Sequence, residues 1–168
     1  MRQQIIETDI ARMRLGPLVE EPHDEGTRRF HVGDVLSVLT GRRISPRGMD
    51  GFYDILGHMT SDQPATTQLG RFKEEYAPAL EEKYDELLGP YIEQLDQAGT
   101  TLADRYHWLA ETCAAIGTSF LEVPRIDPSQ HAEIDLLTGL ELDYGPKIKE
   151  RLIQIDPQTG EIKGPVQE

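Results

Sequence analysis

Cysteine is nearly absent from this chain: Cys113 is the only one among 168 residues, so no internal disulfide can form. Long apolar runs are missing too, and with them any segment able to span a bilayer. No basic-then-apolar leader opens the sequence. These two absences make the cytoplasm the expected location and a membrane an unexpected partner. Positive charge is scarce, with 17 Lys and Arg against 30 Asp and Glu and a net charge of −13, which argues against general affinity for nucleic acid or anionic lipid. The sequence also lacks a Gly-rich phosphate loop, a dinucleotide fingerprint, and the Gly-x-Ser-x-Gly setting that would make Ser37, Ser45 or Ser119 a nucleophile. No cofactor is implied. What remains is 38% hydrophobic residues in a length sufficient for one core without covalent staples.

The charges are unevenly spread. Residues 1–60 hold eight Arg, no Lys and nine acids, whereas residues 61–168 hold nine basic residues and 21 acids. The acids are densest from Glu74 to Asp96, where Lys83 is the only base among Glu74, Glu75, Glu81, Glu82, Asp85, Glu86, Glu93 and Asp96. Such a run is ordinarily a solvated helix face. Its sharper reading is a surface, centred on Glu74, Glu75, Glu81, Glu82, Asp85 and Glu86, that imitates a phosphate backbone or docks on a basic partner.

Periodicity predicts a mostly helical α+β fold: a single compact domain of five to six helices with a small antiparallel β element. Residues 1–27 read as an arm or weak helix near Ile5–Met13, residues 28–150 as the globular body, and residues 151–168 as a hairpin or tail. From Val32, apolar residues at helical spacing suggest a helix ended by Gly41, with a strand over Phe30–Val38 as the competing assignment. Ser45-Pro46 has the form of an N-cap and first-turn pair, followed by the stripe Met49, Phe52, Tyr53, Leu56 and Met59. Gly48, Gly51 and Gly57 in that stretch suggest close approach of another backbone. Leu69, Phe72, Tyr76, Leu80, Tyr84 and Leu87 make the next stripe. Pro78 is expected to break or sharply kink it at Ala77, with a fresh start at Pro78, and a short separate element is expected at Pro90–Gln97. A helix from Thr100 or Thr101, with Asp104 in its first turn, should bury Leu102, Tyr106, Leu109, Cys113 and Ile116 and stop at Gly117. The segment "TSFLEVPRI" reads as a strand closed by Pro124, Asp127-Pro128 as the start of a helix to about Leu142, and "RLIQIDPQTGEIKG" as a hairpin.

The stretches "HVGDVLSVLTGRRISPRGMDGFYDILGHMTSD", "QLGRF", "LADRYHWLAETCAAIGTSFLEVP" and "HAEIDLLTGL" together resemble an uncharacterised family of small phage- and prophage-encoded proteins, over about residues 30–144. The resemblance rests on Thr40-Gly41-Arg42 leading into a helix that ends in Met59-Thr60-Ser61-Asp62, with Leu69-Gly70-Arg71 as a partial match to a later element. It carries no catalytic residue. It implies a protein that binds and inhibits or modulates a host or anti-phage defence component in the host cytoplasm. The N-terminal arm, the acidic region Glu74–Gln97 and the C-terminal "DPQTGEIKG" lie outside the family pattern.

Direct tests for chemistry yield little. The five histidines, at 23, 31, 58, 107 and 131, form no known metal motif; His107 with Glu111, and His131 with Glu133 and Asp135, come nearest. Cys113, in line with Leu109 and Ile116, reads as a small buried hydrophobe. The feature most open to a ligand is the turn containing Arg42, Arg43, Ser45 and Arg47. There a helix start would favour an anion, unless the arginines pair with the protein's own acids. Two functions follow from the residues. One is a non-catalytic interaction protein using its acidic surface against a basic, nucleic-acid-binding host or defence protein; the other is a small nucleotide- or anion-binding protein, or an enzyme, using Arg42, Arg43 and Arg47.

Overall fold

Apolar residues on every side of one short helix organise the molecule. A computed structural model describes residues 2–20, 27–61, 69–127, 138, 145, 153–155 and 162–165. The elements run α1 (Arg2–Met13), β1 (Thr27–His31), α2 (Val32–Thr40), α3 (Met49–Thr60), α4 (Leu69–Gln94), α5 (Leu102–Ile116), β2 (Phe120–Pro124), β3 (Ile153–Ile155) and β4 (Ile162–Pro165). α2 packs against α3, α4, α5 and both strands of the first sheet. Val32, Val35, Leu36 and Val38 are wholly buried. A helix apolar all round belongs at the centre of a core, and its polar residues must find partners there. Gly41 ends it in the left-handed conformation, at φ 68°, and donates to the Ser37 carbonyl.

β1 and β2 pair antiparallel, from Thr27 opposite Pro124 to His31 opposite Phe120. They tie the start of the body to its far side, across some ninety residues of chain. β3 and β4 form a second antiparallel pair. α1 lies on α5 through Ala11, which is buried with Leu15, while Ile5, Ile6, Ile10 and Met13 face outward. Among the described residues the fold is thus mostly helical, five helices and small antiparallel sheets in one compact domain. No described helix is long and apolar enough to cross a membrane.

Several boundaries differ from the sequence reading. Ser45 is not an N-cap: α3 starts at Met49, with Gly48 at φ 64° as its cap residue and no side-chain cap. Ser45–Gly48 is instead a turn closed by the Gly48 N–H on the Ser45 carbonyl at 3.0 Å, with Pro46 second, where its fixed φ suits a turn as well as a helix. Pro78 and Pro90 break nothing, and α4 runs unbroken for 26 residues. Both prolines are exposed. Each removes one hydrogen bond on the outer side, where water reaches the freed carbonyl, while Phe72, Tyr76, Leu80, Tyr84 and Leu88 hold the inner side in the core. A 3-10 turn over Leu95–Gln97 continues α4 in place of a separate element.

In α3 the stripe is shifted, with Ile55, Leu56 and Met59 fully buried, Phe52 half-buried and Met49 at the surface. α5 keeps Tyr106, Leu109 and Cys113 inside, Ile116 half-buried and Leu102 exposed. Its start is a complete capping box between Thr101 and Asp104, and Gly117 at φ 78° ends it. The helix expected from Asp127-Pro128 to Leu142 lies outside the described residues.

Candidate functional site

The arginine turn is joined to a buried acid that the sequence reading passed over. Asp34 falls in the first turn of α2, fully buried among valines and leucines. A carboxylate there requires hydrogen bonds and a counter-charge. Ser45 donates its hydroxyl to Asp34 Oδ1. Arg47 donates Nε and Nη2 to Asp34 Oδ2 at 3.1 and 2.7 Å. Its Nη1 reaches Asp54 Oδ2 at 2.8 Å, and Asp54 in turn receives both Nη groups of Arg28 at 2.6 and 2.9 Å. The result is an alternating chain Asp34–Arg47–Asp54–Arg28 linking β1, α2, the turn and α3. Ser37 supports it by donating to the Gly33 carbonyl and accepting the N–H groups of Ile44 and Ser45.

Glycine is required beside this chain. A Cβ at Gly51 would sit 2.2 Å from Asp34 Oδ1 and 2.4 Å from Ser45 Oγ, so α3 can pass only without a side chain there. The close approach expected at these glycines is therefore to buried polar side chains at Gly51. Burial pushes the Asp34 carboxyl up, against the pull of Arg47 and Ser45. Burial alone would also raise Asp54 and lower Arg47, but their mutual hydrogen bonds prevail, leaving Asp54 below the usual carboxylate range and Arg47 above its own.

His31 caps α2 by accepting the Gly33 N–H on Nδ1 at 3.0 Å, and burial with the nearby Arg47 charge pushes its pKa down to about 4. It is neutral at pH 7, so Nε2 carries the hydrogen, and Nε2 has no partner among the described residues. His58 meets the Val123 carbonyl through Nε2 and is likewise lowered, chiefly by burial. Cys113 is buried and its thiol pushed up to about 11 by that burial, a packing residue with an inert sulfur. Among the described residues, no three His, Cys, Asp or Glu side chains converge as metal ligands.

Of the four residues expected to bind an anion, Ser45 and Arg47 are thus occupied within the protein. Arg47 pairs with acids of the first sixty residues. Arg42 does reach the acidic half, at Asp96 Oδ1. Arg43 forms no ion pair among the described residues. Arg42, Arg43 and Lys73 line a 250 Å³ cavity together with Met49, Phe52 and Leu69.

Glu74, Glu81, Glu82, Asp85 and Glu86 are all exposed on the outer face of α4, opposite its buried stripe; Glu75 is half-buried. Lys83, the one base in the run, does not neutralise them. Its Nζ donates to the Glu122 carbonyl of β2 at 3.0 Å and lies over the Tyr84 ring. Glu81 with Asp85, and Glu82 with Glu86, are like charges one helical turn apart, a mildly destabilising arrangement.

Asp34, Asp54 and Arg28 are the site residues that sequence reading missed. An acid inside the apolar run Val32–Val38 was the available signal, since a buried carboxylate demands a cationic partner. Nothing local names Arg47 and Asp54 as its companions. A family model described as a domain of unknown function (DUF7736) matches residues 30–89. That span takes in Asp34, Ser45, Arg47, Asp54 and most of α4, so the acids from Glu74 to Glu86 lie inside the matched region and not outside the family pattern as the sequence suggested, and it stops before α5 and β2. No curated protein and no solved structure matches the chain.

Proposed function

We propose that this protein is a non-catalytic interaction protein whose α4 outer face docks on a basic, nucleic-acid-binding surface of another protein. One observation carries the reading. Six acids, Glu74, Glu81, Glu82, Asp85, Glu86 and Glu93, are exposed along a single continuous helix, and the one lysine among them is turned onto the backbone of β2. From Glu74 to Glu93 the helix extends about 28 Å, so its acids form a rigid negative edge of the length of a short duplex segment. Like charges held together this way carry a self-repulsion that solubility alone does not require, and a basic partner relieves it. The resemblance to small phage and prophage proteins makes that partner a host or anti-phage defence component, which the protein inhibits or modulates by occupying its nucleic-acid surface.

The test is capture from host lysate at low and high salt, with the wild-type chain beside a variant carrying Glu74→Lys, Glu81→Lys, Glu82→Lys and Glu86→Lys. A partner retained by the wild type, lost with the variant, weakened by salt and displaced by duplex DNA is the expected result. Equal retention by both chains, or indifference to DNA, would overturn the proposal.

A further inference from the structure

The cavity beside the arginine turn reverses the charge character of the whole molecule. In a chain with net charge −13, its lining joins the cations Arg42, Arg43 and Lys73 to the apolar Met49, Phe52 and Leu69. Arg43 and Lys73 have no acid partner among the described residues, and the Arg42 pair with Asp96 is solvent-exposed, at 48% and 79% for the two side chains. Such a pair is readily exchanged for another anion. Lys73 Nζ lies close over Gly41, only 2.8 Å from where a Cβ would stand there. Gly70 of α4 also lines it.

We infer that this cavity binds a small anion with an apolar body about one ring in size, its charged head between Arg43 and Lys73 and its body on Phe52 and Leu69. A volume of 250 Å³ is below the usual range for drug-sized ligands, about 300–1,000 Å³. The ligand is accordingly a monocyclic or short branched carboxylate or phosphate ester, and not a dinucleotide. Arg47, bound to Asp34 and Asp54, takes no part. The inference is independent of the α4 docking surface, which lies on the other side of that helix's first turns.

Amide NMR titration of the full chain tests it with four probes: benzoate, phenyl phosphate, inorganic phosphate and benzyl alcohol. Benzoate, phenyl phosphate or both should shift the Gly41, Gly48 and Gly70 signals at millimolar concentration, and the tighter of the two assigns the head group. The double variant Arg43→Ala/Lys73→Ala should bind at least about tenfold more weakly, as expected when a charge-assisted contact is lost. Gly70→Leu should abolish binding by filling the space; a Cβ there meets no atom within 4 Å, and leucine favours the helix, so the fold is kept. Benzyl alcohol binding as tightly as benzoate would reduce the site to an apolar hole. Inorganic phosphate matching phenyl phosphate would remove the apolar half. Either result overturns the inference, as does a wild-type chain that responds to no probe or binding that survives both variants.

Discussion

Two charged regions of this molecule use the same residue types in opposite ways. In the chain Asp34–Arg47–Asp54–Arg28, every charge meets an opposite one at 2.6–3.1 Å and no side chain is more than 27% exposed. On the outer face of α4 six acids are exposed, and Lys83, the one base among them, is turned onto β2. Charges of alternating sign drawn from separate elements serve the fold: they fix how β1, α2 and α3 sit against one another. Charges of one sign from one helix fix nothing internally, which is why the functional wager belongs on α4. The cavity at Arg43 and Lys73 is an intermediate case, cationic groups near the network but outside it.

The sharpest way to break the contrast is to remove Asp34. Asp34→Ala leaves Arg47 with one buried partner fewer and Ser45 without its acceptor, and it should cost about 3–5 kcal/mol in urea unfolding. A loss below about 1 kcal/mol would place the network among weakly contributing surface pairs.

Acid should strain the same region. His31 titrates near 6.5 unfolded and at about 4 folded, so the unfolded state binds the extra proton in between. Its contribution is complete above pH 6.5 and is lost as pH falls towards 4, up to about 3 kcal/mol. Asp34, raised by burial, has the opposite slope, so the comparison must be with a His31 variant. His31→Asn can still accept the Gly33 N–H, and its unfolding free energy should change less between pH 7.5 and pH 4.5 than the wild type's. Equal changes would remove His31 as the source.

α4 offers smaller effects. Pro78→Ala restores an N–H to the outer side of a helix already formed, and should stabilise the protein by about 1–2 kcal/mol once the lost rigidity of the unfolded chain is set against it. A destabilised variant would mean that the proline ring itself packs on something. Smallest of all, the four-lysine reversal on α4 should change unfolding free energy by no more than about 0.5 kcal/mol, because those side chains touch no core. A large loss would show that the acids are structural after all and weaken the docking proposal with them.

The helices were legible where a local rule decides them. Gly41 and Gly117 as left-handed stops, the Thr101–Asp104 box and the strand closed at Pro124 all act within a few residues, and the structure has each in place. The misreadings come from positions where two local rules conflict. Ser45-Pro46 satisfies a helix start and a turn equally well, and only the pull of Asp34 on the Ser45 hydroxyl selects the turn. Pro78 should break an isolated helix, but the buried side of α4 decides otherwise.

The sequence by itself determined the helical character, the balance of charge between the two halves and the absence of any nucleophile or metal motif, since composition, period and caps are properties of neighbouring residues. Only the tertiary structure decided which arginines are committed. Arg47 and Arg43 stand four residues apart in the same turn. One turns inward to Asp34 and Asp54, and the other borders a cavity with no acid partner among the described residues. Nothing local distinguishes them, because a salt bridge depends on distances between elements, and those are set by how α2, α3 and α4 pack.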